Sequence, residues 1–558
     1  MPNNNNVLTL GSPVFSDPQL AALVNKGDAQ AAWTAALAQG PAAAANSAIG
    51  EFAVGLHDTA GRVFLAVDRF AVRTLCYRVV NGQLHFAERA DELADTQPEL
   101  DLQALFDYLY FHAIPSPRTV YQGIKRVPPG HYVLFDKGQL TVAPYWVPTF
   151  TPPEGPASFE ALKAEFRSTL HDAVKRQLDG SKAACFLSGG TDSSTVSGMI
   201  REVTQQAADS YSIGFEAAGY DEMEYARIAA RHFGARHHEY YVTPADLVRS
   251  IADVAASYDQ PFGNSSALPA YYCAKVARED GVSKILAGDG GDELFGGNSR
   301  YAKQRVFDWY SNVPAGLRSG LLEPVLQRSP LRRAPLLRKG ASYIEQAKVP
   351  MPDRLQMYNL LRRLGADTVL TPGFLAQVDQ EGPARQQREV WAQAHAAHQV
   401  DRTLAFDWRY TLAESDLPKV RGTTQLAGLA VGFPFLDQAL LDFSMRLPPD
   451  YKLKGLKLRW FFKEALRDFL PEQIINKRKQ GFGLPFGVWA TRHEGLHKLA
   501  VDSLNSLGTR GIVRPAFITE LIGPYLKEHP GYYGELVWIL MMLEQWMQKH
   551  APAFRVQA

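Results

Sequence analysis

FLSGGTDSS, Phe186 to Ser194, ends an apolar run that starts at Ala183 and reads as a buried strand. The run breaks into Ser188, Gly189, Gly190, Thr191, Asp192, Ser193 and Ser194, and a helical pattern follows through Arg201. Strand, glycine-rich turn and helix start, in that order, aim backbone N–H groups and the positive end of a helix dipole at one point, which makes an anion site. The glycines let backbone approach a phosphate closely. No Lys follows the turn, so it is not the GK[ST] phosphate loop. The plainer alternative is a tight strand-to-helix turn capped by Asp or Ser.

Around this loop the pattern alternates. Helical periodicity covers Phe159–Leu178, Ser193–Val203, Met223–Phe233, Ala245–Tyr258 and Ala267–Arg278. Strand signals fall at Lys182–Leu187, Ser210–Phe215, His237–Val242 and Ser283–Leu286. Such alternation predicts a parallel sheet covered by helices on both faces, with ligands bound at the carboxyl ends of its strands where the strand order reverses. From about Arg300 onward the chain reads as mainly helical.

The strand ending at Leu286 runs into a second glycine-rich loop, AGDGGDELFGG, Ala287–Gly297. Its carboxylates, Asp289 and Asp292, would repel a phosphate unless a cation lay between. Mg²⁺ takes one or two protein carboxylates together with phosphate oxygens and water. Asp192 and Asp292 form the natural pair, since both follow strands of one sheet. The two loops together therefore point to ATP with Mg²⁺; either alone is an ordinary Gly-Asp turn.

The first part of the chain differs. Pro18–Gln39 reads as two short helices split at Lys26-Gly27-Asp28. Strand signals follow in GEFAVGLHD from Gly50, in VFLAVDRF from Val63, in Thr74–Val79 and in Gln83–Phe86, with an Asn81-Gly82 hairpin turn. After a helix at Leu102–Phe111, Ile124–Val127, HYVLFD and QLTVAPYW complete an antiparallel layer. Residues 143–157 carry five prolines, a composition suited to a linker rather than a packed element. The domain reading is 1–148, a proline-rich linker over 149–158, and 159–558.

Composition narrows the function class. With 558 residues, 46% hydrophobic and 21% charged, the chain is of globular type, and a net charge of +1 offers no electrostatic grip on nucleic acid or membrane. Cys76, Cys185 and Cys273 lack metal spacing and fit a reducing compartment. No signal-peptide pattern and no 18-residue apolar run is present, so the expectation is a cytoplasmic protein. The Trp- and Met-rich stretch Tyr533–Met547 reads as core or as the face of a homodimer, with core the commoner use of such spacing.

The order S-G-G-x-D-S resembles the pyrophosphate loop of ATP pyrophosphatases. SGGTDSS followed by YSIGF (Tyr211–Phe215), YDEMEYA (Tyr220–Ala226), DQPFGNSSA (Asp259–Ala267) and AGDGGDELFGG resembles the synthetase domain of the asparagine synthetase family. GFPFLD (Gly432–Asp437), LRWFFKEAL (Leu458–Leu466), LPEQI (Leu470–Ile474) and KRKQGFGLPFGVW (Lys477–Trp489) extend the resemblance. GEFAVGLHD, FLAVDRF and IKRVPPGHYVLF resemble the later part of the family's glutaminase domain. The resemblance covers roughly residues 48–490. It implies an α/β fold: an N-terminal Ntn-hydrolase-like α+β sandwich, degenerate here, then a PP-loop domain of the adenine nucleotide alpha hydrolase type with a helical C-terminal part.

It also implies an activity: an acid is adenylated by Mg-ATP, and an amine or ammonia displaces AMP. Carried to matching positions, Ser188, Gly189, Gly190, Asp192 and Ser193 would hold the pyrophosphate, and Asp192 with Asp292 the Mg²⁺. Leu187, Ile213 and Gly288 would contact the adenosine, largely through backbone. Lys479 matches the lysine that neutralises charge developing on the phosphates; without the match, a solvated Lys in a KRK cluster is the simpler reading. Asp289 occupies the position of a Glu or Tyr near the attacking amine, and would be its base or orienter, or else a loop carboxylate bonded to backbone.

Three departures shape the expected function. Family glutaminases use an N-terminal Cys bared by Met removal; residue 2 here is Pro, and the family's Arg-Gly and Asn-Gly-Glu stretches are not recognisable. The expectation is therefore a chain that does not hydrolyse glutamine. Asparagine synthetases carry an acid and an Arg just before PFLD, and the matching positions are Ala430 and Gly432. An Asp-Arg pair further upstream becomes Arg421-Gly422, and Gln260 and Asn264 stand where relatives often have acids. The expected substrate is thus larger or less charged than aspartate. β-Lactam-type synthetases, lasso-peptide cyclases and sugar-acid amidating enzymes are the similar cases, and a catalytically silent scaffold is the non-enzyme alternative. A sulfur- or tRNA-modifying ATP pyrophosphatase is disfavoured by the absence of a Cys pair and of a basic surface.

Overall fold

Period-two alternation builds the N-terminal region. The computed structural model describes residues 7–557 apart from 59, 154, 156, 157, 312, 319–334, 479, 480 and 482. Strands β1 (Val7–Gly11), β2 (Phe52–His57), β3 (Val63–Val67), β7 (His131–Asp136) and β8 (Gln139–Pro144) form an antiparallel sheet in the order β1-β2-β3-β7-β8. A smaller sheet has β4 (Cys76–Val80) between β5 (Gln83–Ala87) and β6 (Lys125–Arg126). Successive side chains of a strand face opposite ways. Phe52, Val54, Leu56, Phe64 and Ala66 accordingly pack under the helices Pro18–Asn25, Ala29–Leu37 and Pro41–Asn46 around the fully buried Trp33. Their neighbours Ala53, Val63, Leu65 and Val67 pack instead against Tyr77, Leu84 and Phe86 of the smaller sheet. The layers are helix, sheet and sheet. At the tip of the β4–β5 hairpin, Asn81 and Gly82 both have positive φ, +51° and +74°, as a type I′ turn requires.

The second region is the predicted doubly wound sheet. Strands β9 (Ala184–Phe186), β10 (Asp209–Phe215), β11 (Arg236–Val242), β12 (Lys284–Leu286) and β13 (Ala430–Gly432) are all parallel, in the order β11-β10-β9-β12-β13. The order reverses between β9 and β12, so the two glycine-rich loops leave neighbouring strand ends. Strand β13 falls within the stretch expected to be mainly helical. Three residues are too few for a periodic signal, and only pairing with Lys284–Leu286 defines it.

The proline-rich stretch 143–157 is partly packed, contrary to its expected character. Ala143 and Pro144 end β8, Phe150 N–H donates to the His395 carbonyl at 2.9 Å, and the Phe150 ring lies 5.2 Å from Trp408. Proline removes donors there, but the aromatic side chains between the prolines still bury apolar area.

The two regions share a core. Leu105, Tyr108 and Leu109 of the helix Leu102–Phe111 pack in the same cluster as the C-terminal helix Pro530–His550, and Tyr108 Oη donates to the Ile539 carbonyl at 2.7 Å. Every residue from Leu536 to Met547 is buried, so this helix is core rather than an exposed dimer face. Among the described residues no helix is long and apolar enough to cross a membrane.

Candidate active site

The first loop is built to bring backbone close to a ligand. Gly189 has φ +68°, and a Cβ there would lie 2.4 Å from the Ala226 nitrogen. The helix Thr191–Thr204 starts behind Gly190, which has no side chain to cap its first turn. Ser193 Oγ accepts from Ser188 N–H at 3.1 Å and meets Ser188 Oγ at 3.0 Å, which ties the two ends of the turn together.

The second loop lies against the first. A Cβ on Gly288 would come within 2.9 Å of the Ser193 nitrogen, so that close approach requires glycine. Gly290 adopts φ +99° and turns the chain into the short helix Gly291–Phe295, which presents Asp292.

A cavity of about 480 Å³ opens at the switch point between β9 and β12. Of the sequence-predicted residues, Leu187, Ser188, Asp192, Ser193, Ile213, Gly288, Asp289 and Asp292 line it. A second cavity, about 680 Å³, meets it at Ser188, Asp192, Ser193, Glu222 and Asp292. Gly190 lines the second one, and Gly189 supports the turn, its carbonyl accepting from Lys477 Nζ at 3.3 Å. Lys479 lies outside the described residues.

Asp192 and Asp292 converge on one cation, Arg459, which sequence reading passed over within LRWFFKEAL. Arg459 Nη1 donates to Asp192 Oδ2 and to Asp292 Oδ1, both at 2.7 Å, and to Thr191 Oγ1 at 2.8 Å; Nη2 donates to Asp192 Oδ1. The Arg459 side chain is 4% exposed, and its guanidinium stacks 3.9 Å over the Phe462 ring. Burial opposes its charge, but Asp192 and Asp292 outweigh burial and raise its pKa. Two carboxylates already gathered on one positive charge, beside a phosphate-type loop, are a donor set that fits Mg²⁺.

A second charged group faces the first cavity. Lys419 Nζ donates to Asp416 at 2.9 Å and lies 3.6 Å from Asp289. Burial pushes the Asp289 carboxyl up, and Lys419 works against that shift. Burial also opposes the Lys419 charge, yet Asp416 and Asp289 together raise its pKa. The segment Trp408–Asp416 is a π-helix, a form often met at functional sites, and it carries Asp416 to the cavity. No sequence period marks Asp416, because the π-helix breaks the 3.6-residue repeat; Lys419 follows in the helix Leu417–Leu426.

Two expectations about lost charge are corrected. Neither Ala430 nor Gly432 lines the cavity; Ala430 is exposed, and a Cβ on Gly432 would strike Gln177. Those positions therefore do not report on the pocket's charge. Arg421 points instead at the domain boundary, donating to the Val72 carbonyl and to Thr74 Oγ1. Asn264 does line the cavity, its amide donating to Ser415 Oγ at 3.1 Å, and Gln260 is buried outside it. The pocket is charged after all, through Asp289, Asp416, Glu293 and Lys419.

Two family models match the chain. The family model for asparagine synthase matches residues 165–548, and that for a glutamine amidotransferase domain matches residues 21–146. The chain is 26% identical over 490 residues to asparagine synthetase [glutamine-hydrolyzing] 1 of Bacillus subtilis, covering 86% of this chain and 74% of that protein. It is 26% identical over 518 residues to a putative asparagine synthetase [glutamine-hydrolyzing] of Mycobacterium tuberculosis, covering 89% and 76%. It is 24% identical over 509 residues to a Penicillium rubens protein named amidase chyE, covering 82% and 73%.

Proposed function

The chain belongs to the asparagine synthase family of carbon–nitrogen ligases, whose members form amides with ATP, and on that premise we propose that it is an AMP-forming amide synthetase that does not hydrolyse glutamine itself. The observation that carries the reading is the pair Asp192 and Asp292, brought from two loops to one cation at the switch point of the sheet.

In this reading a carboxylate oxygen of the substrate attacks the α-phosphorus of ATP. The bond between the α- and β-phosphates breaks, and pyrophosphate leaves toward the second cavity. Ser188, Gly190 and Ser193 hold the phosphates through N–H and hydroxyl donors, while Leu187, Ile213 and Gly288 border the adenosine. Asp192 and Asp292 would hold Mg²⁺, which would supply charge neutralisation on the phosphates. Lys479 is proposed to neutralise charge at the α-phosphate. An amine or ammonia then attacks the acyl carbon, AMP leaves, and Asp289 takes or orients the amine proton. A raised carboxyl suits that task, because its conjugate base binds a proton more readily at neutral pH.

The three thiols support the glutamine-independent part. Cys76, Cys185 and Cys273 are all buried, and burial pushes each thiol up, which leaves none as a ready nucleophile. Residues 1–148 are then a glutaminase-like domain kept for its packing, with 149–158 joining it to the ligase domain 159–558. Closing an amide within one peptide-like molecule and amidating a sugar acid are the same chemistry on different acids.

The test is ATP–pyrophosphate exchange by the full chain, screened over amino acids, peptides and sugar acids. Exchange with one class, dependent on Mg²⁺ and lost in Asp192→Ala, is expected. Exchange with no carboxylate would favour the silent scaffold, and glutamate release from glutamine by the purified protein would overturn the glutamine-independent part.

A further inference from the structure

Arg459 is too deliberately placed to be an incidental partner of two acids. Its backbone adopts φ +53°, the left-handed region that side-chain-bearing residues rarely occupy. That conformation starts the helix Trp460–Ala465 and turns the side chain back toward the two loops. Glycines make room for it. A Cβ on Gly297 would fall 2.8 Å from Arg459 Cδ and 1.7 Å from Asp292 Oδ1, and one on Gly291 would fall 3.2 Å from Arg459 Nη2. The Phe462 ring supports the guanidinium face.

Charge accounting gives this placement a consequence. Asp192 and Asp292 repel each other in a buried setting unless a cation lies between them. In this structure that cation is part of the chain, the Arg459 guanidinium. A divalent ion arriving alone would have to displace a guanidinium already hydrogen-bonded to both carboxylates, and would leave it buried and unpaired. A nucleotide changes the balance, because its phosphates bring negative charge that can accept both cations. Arg459 also borders the second cavity, beside Lys457, Lys463 and Lys477, so its guanidinium has a phosphate-sized space next to it. A planar guanidinium pairs with phosphate as readily as with carboxylate.

We infer that Arg459 keeps the divalent-cation place in the nucleotide-free enzyme, so that the metal enters only together with nucleotide and the guanidinium then passes to phosphate. The inference rests on the Mg-ATP reading above, and its test is independent of any carboxylate substrate.

Mn²⁺ replaces Mg²⁺ as a probe, and free Mn²⁺ is read by electron paramagnetic resonance in titrations of the full chain without nucleotide. Wild-type protein is expected to leave the free Mn²⁺ signal as it is in buffer. Arg459→Met is expected to take up one equivalent, with affinity at least about tenfold above wild type because one buried positive charge is gone. Adding Asp292→Ala to that variant should abolish the uptake. Wild-type uptake of one Mn²⁺ that Asp192→Ala removes would overturn the proposal. So would a folded Arg459→Met protein with no gain in Mn²⁺ affinity. Arg459→Gln serves if the Met variant does not fold, and the wild-type arm stands by itself. A separate titration with a fluorescent ATP analogue and Mg²⁺ tests the nucleotide reading. Its failure beside a metal-binding Arg459→Met would count against ATP and not against the placeholder.

Discussion

Two charge clusters in this molecule are near mirror images. At the loops, one guanidinium, Arg459, sits between two carboxylates. At the boundary between the regions, one carboxylate, Glu414, sits between two guanidiniums: Arg126 and Arg409 both donate to it, and Ser116 donates to Glu414 Oε1 through N–H at 3.1 Å and Oγ at 2.8 Å. Glu414 is 4% exposed, much like Arg459. The difference is in what lies beside them. Arg459 borders a large cavity, whereas Glu414 lines neither of the two cavities at the loops. A buried ion that can reach a ligand can exchange partners; a sealed one can only hold the structure together. Burial alone therefore does not separate a functional charge from a structural one.

The largest effect should come from breaking the Glu414 cluster, whose carboxylate lines neither loop cavity although Arg126 borders a separate one of about 250 Å³. Glu414→Gln removes the carboxylate that Arg126 and Arg409 share and is expected to cost about 3–5 kcal/mol, the usual penalty for leaving buried charge uncompensated. Denaturant unfolding measures it, and millimolar Mg²⁺ should restore none of it. Asp192→Ala, in the open cluster, should lower pyrophosphate exchange by about 10²–10³, the scale of losing a principal electrostatic stabiliser, as initial rates with the best substrate will show. Asp289→Asn probes a third arrangement of this kind, the Lys419 ammonium between Asp289 and Asp416. Amide formation should fall about 10²-fold while pyrophosphate exchange persists; equal loss in both assays would refute a role at the amine. The smallest effect is on acid stability. Despite its burial, Arg126 and Arg409 hold Glu414 below its ordinary pKa of 4.5. Its stabilisation is thus full above pH 4.5 and is lost as pH falls through the lowered value. Acid unfolding followed by tryptophan fluorescence should begin at higher pH when the second cation is weakened, as in Arg409→Lys.

Most of the parallel sheet was legible in the sequence, since each of its first four strands alternates with a helix of ordinary period. The helix Met223–Phe233 lies at its predicted limits, and Leu102–Phe111 does as well. Both glycine-rich loops were legible because their residue types are costly elsewhere. What escaped notice depends on distance in sequence. β13 exists only through pairing with β12. Arg459 looks like any cation on an amphipathic segment until folding sets it against residues 167 and 267 positions away. Ala430 and Gly432 misled for the opposite reason: they were judged by their place in a motif, while the strand they occupy turns them away from the pocket.

The wide sequence spacing of the open cluster bears on how the protein is made. Synthesis proceeds from the N-terminus, and domains fold as their residues emerge from the ribosome. The two acids are delivered first, and strand β13, which completes the sheet, comes well before the guanidinium that neutralises them. A chain extended just past residue 432 would carry the sequence of all five strands and both loops, but not yet Arg459, the cation that both acids share in the folded protein. The open cluster therefore reaches its final charge balance only when the later part of the chain has folded onto the two loops.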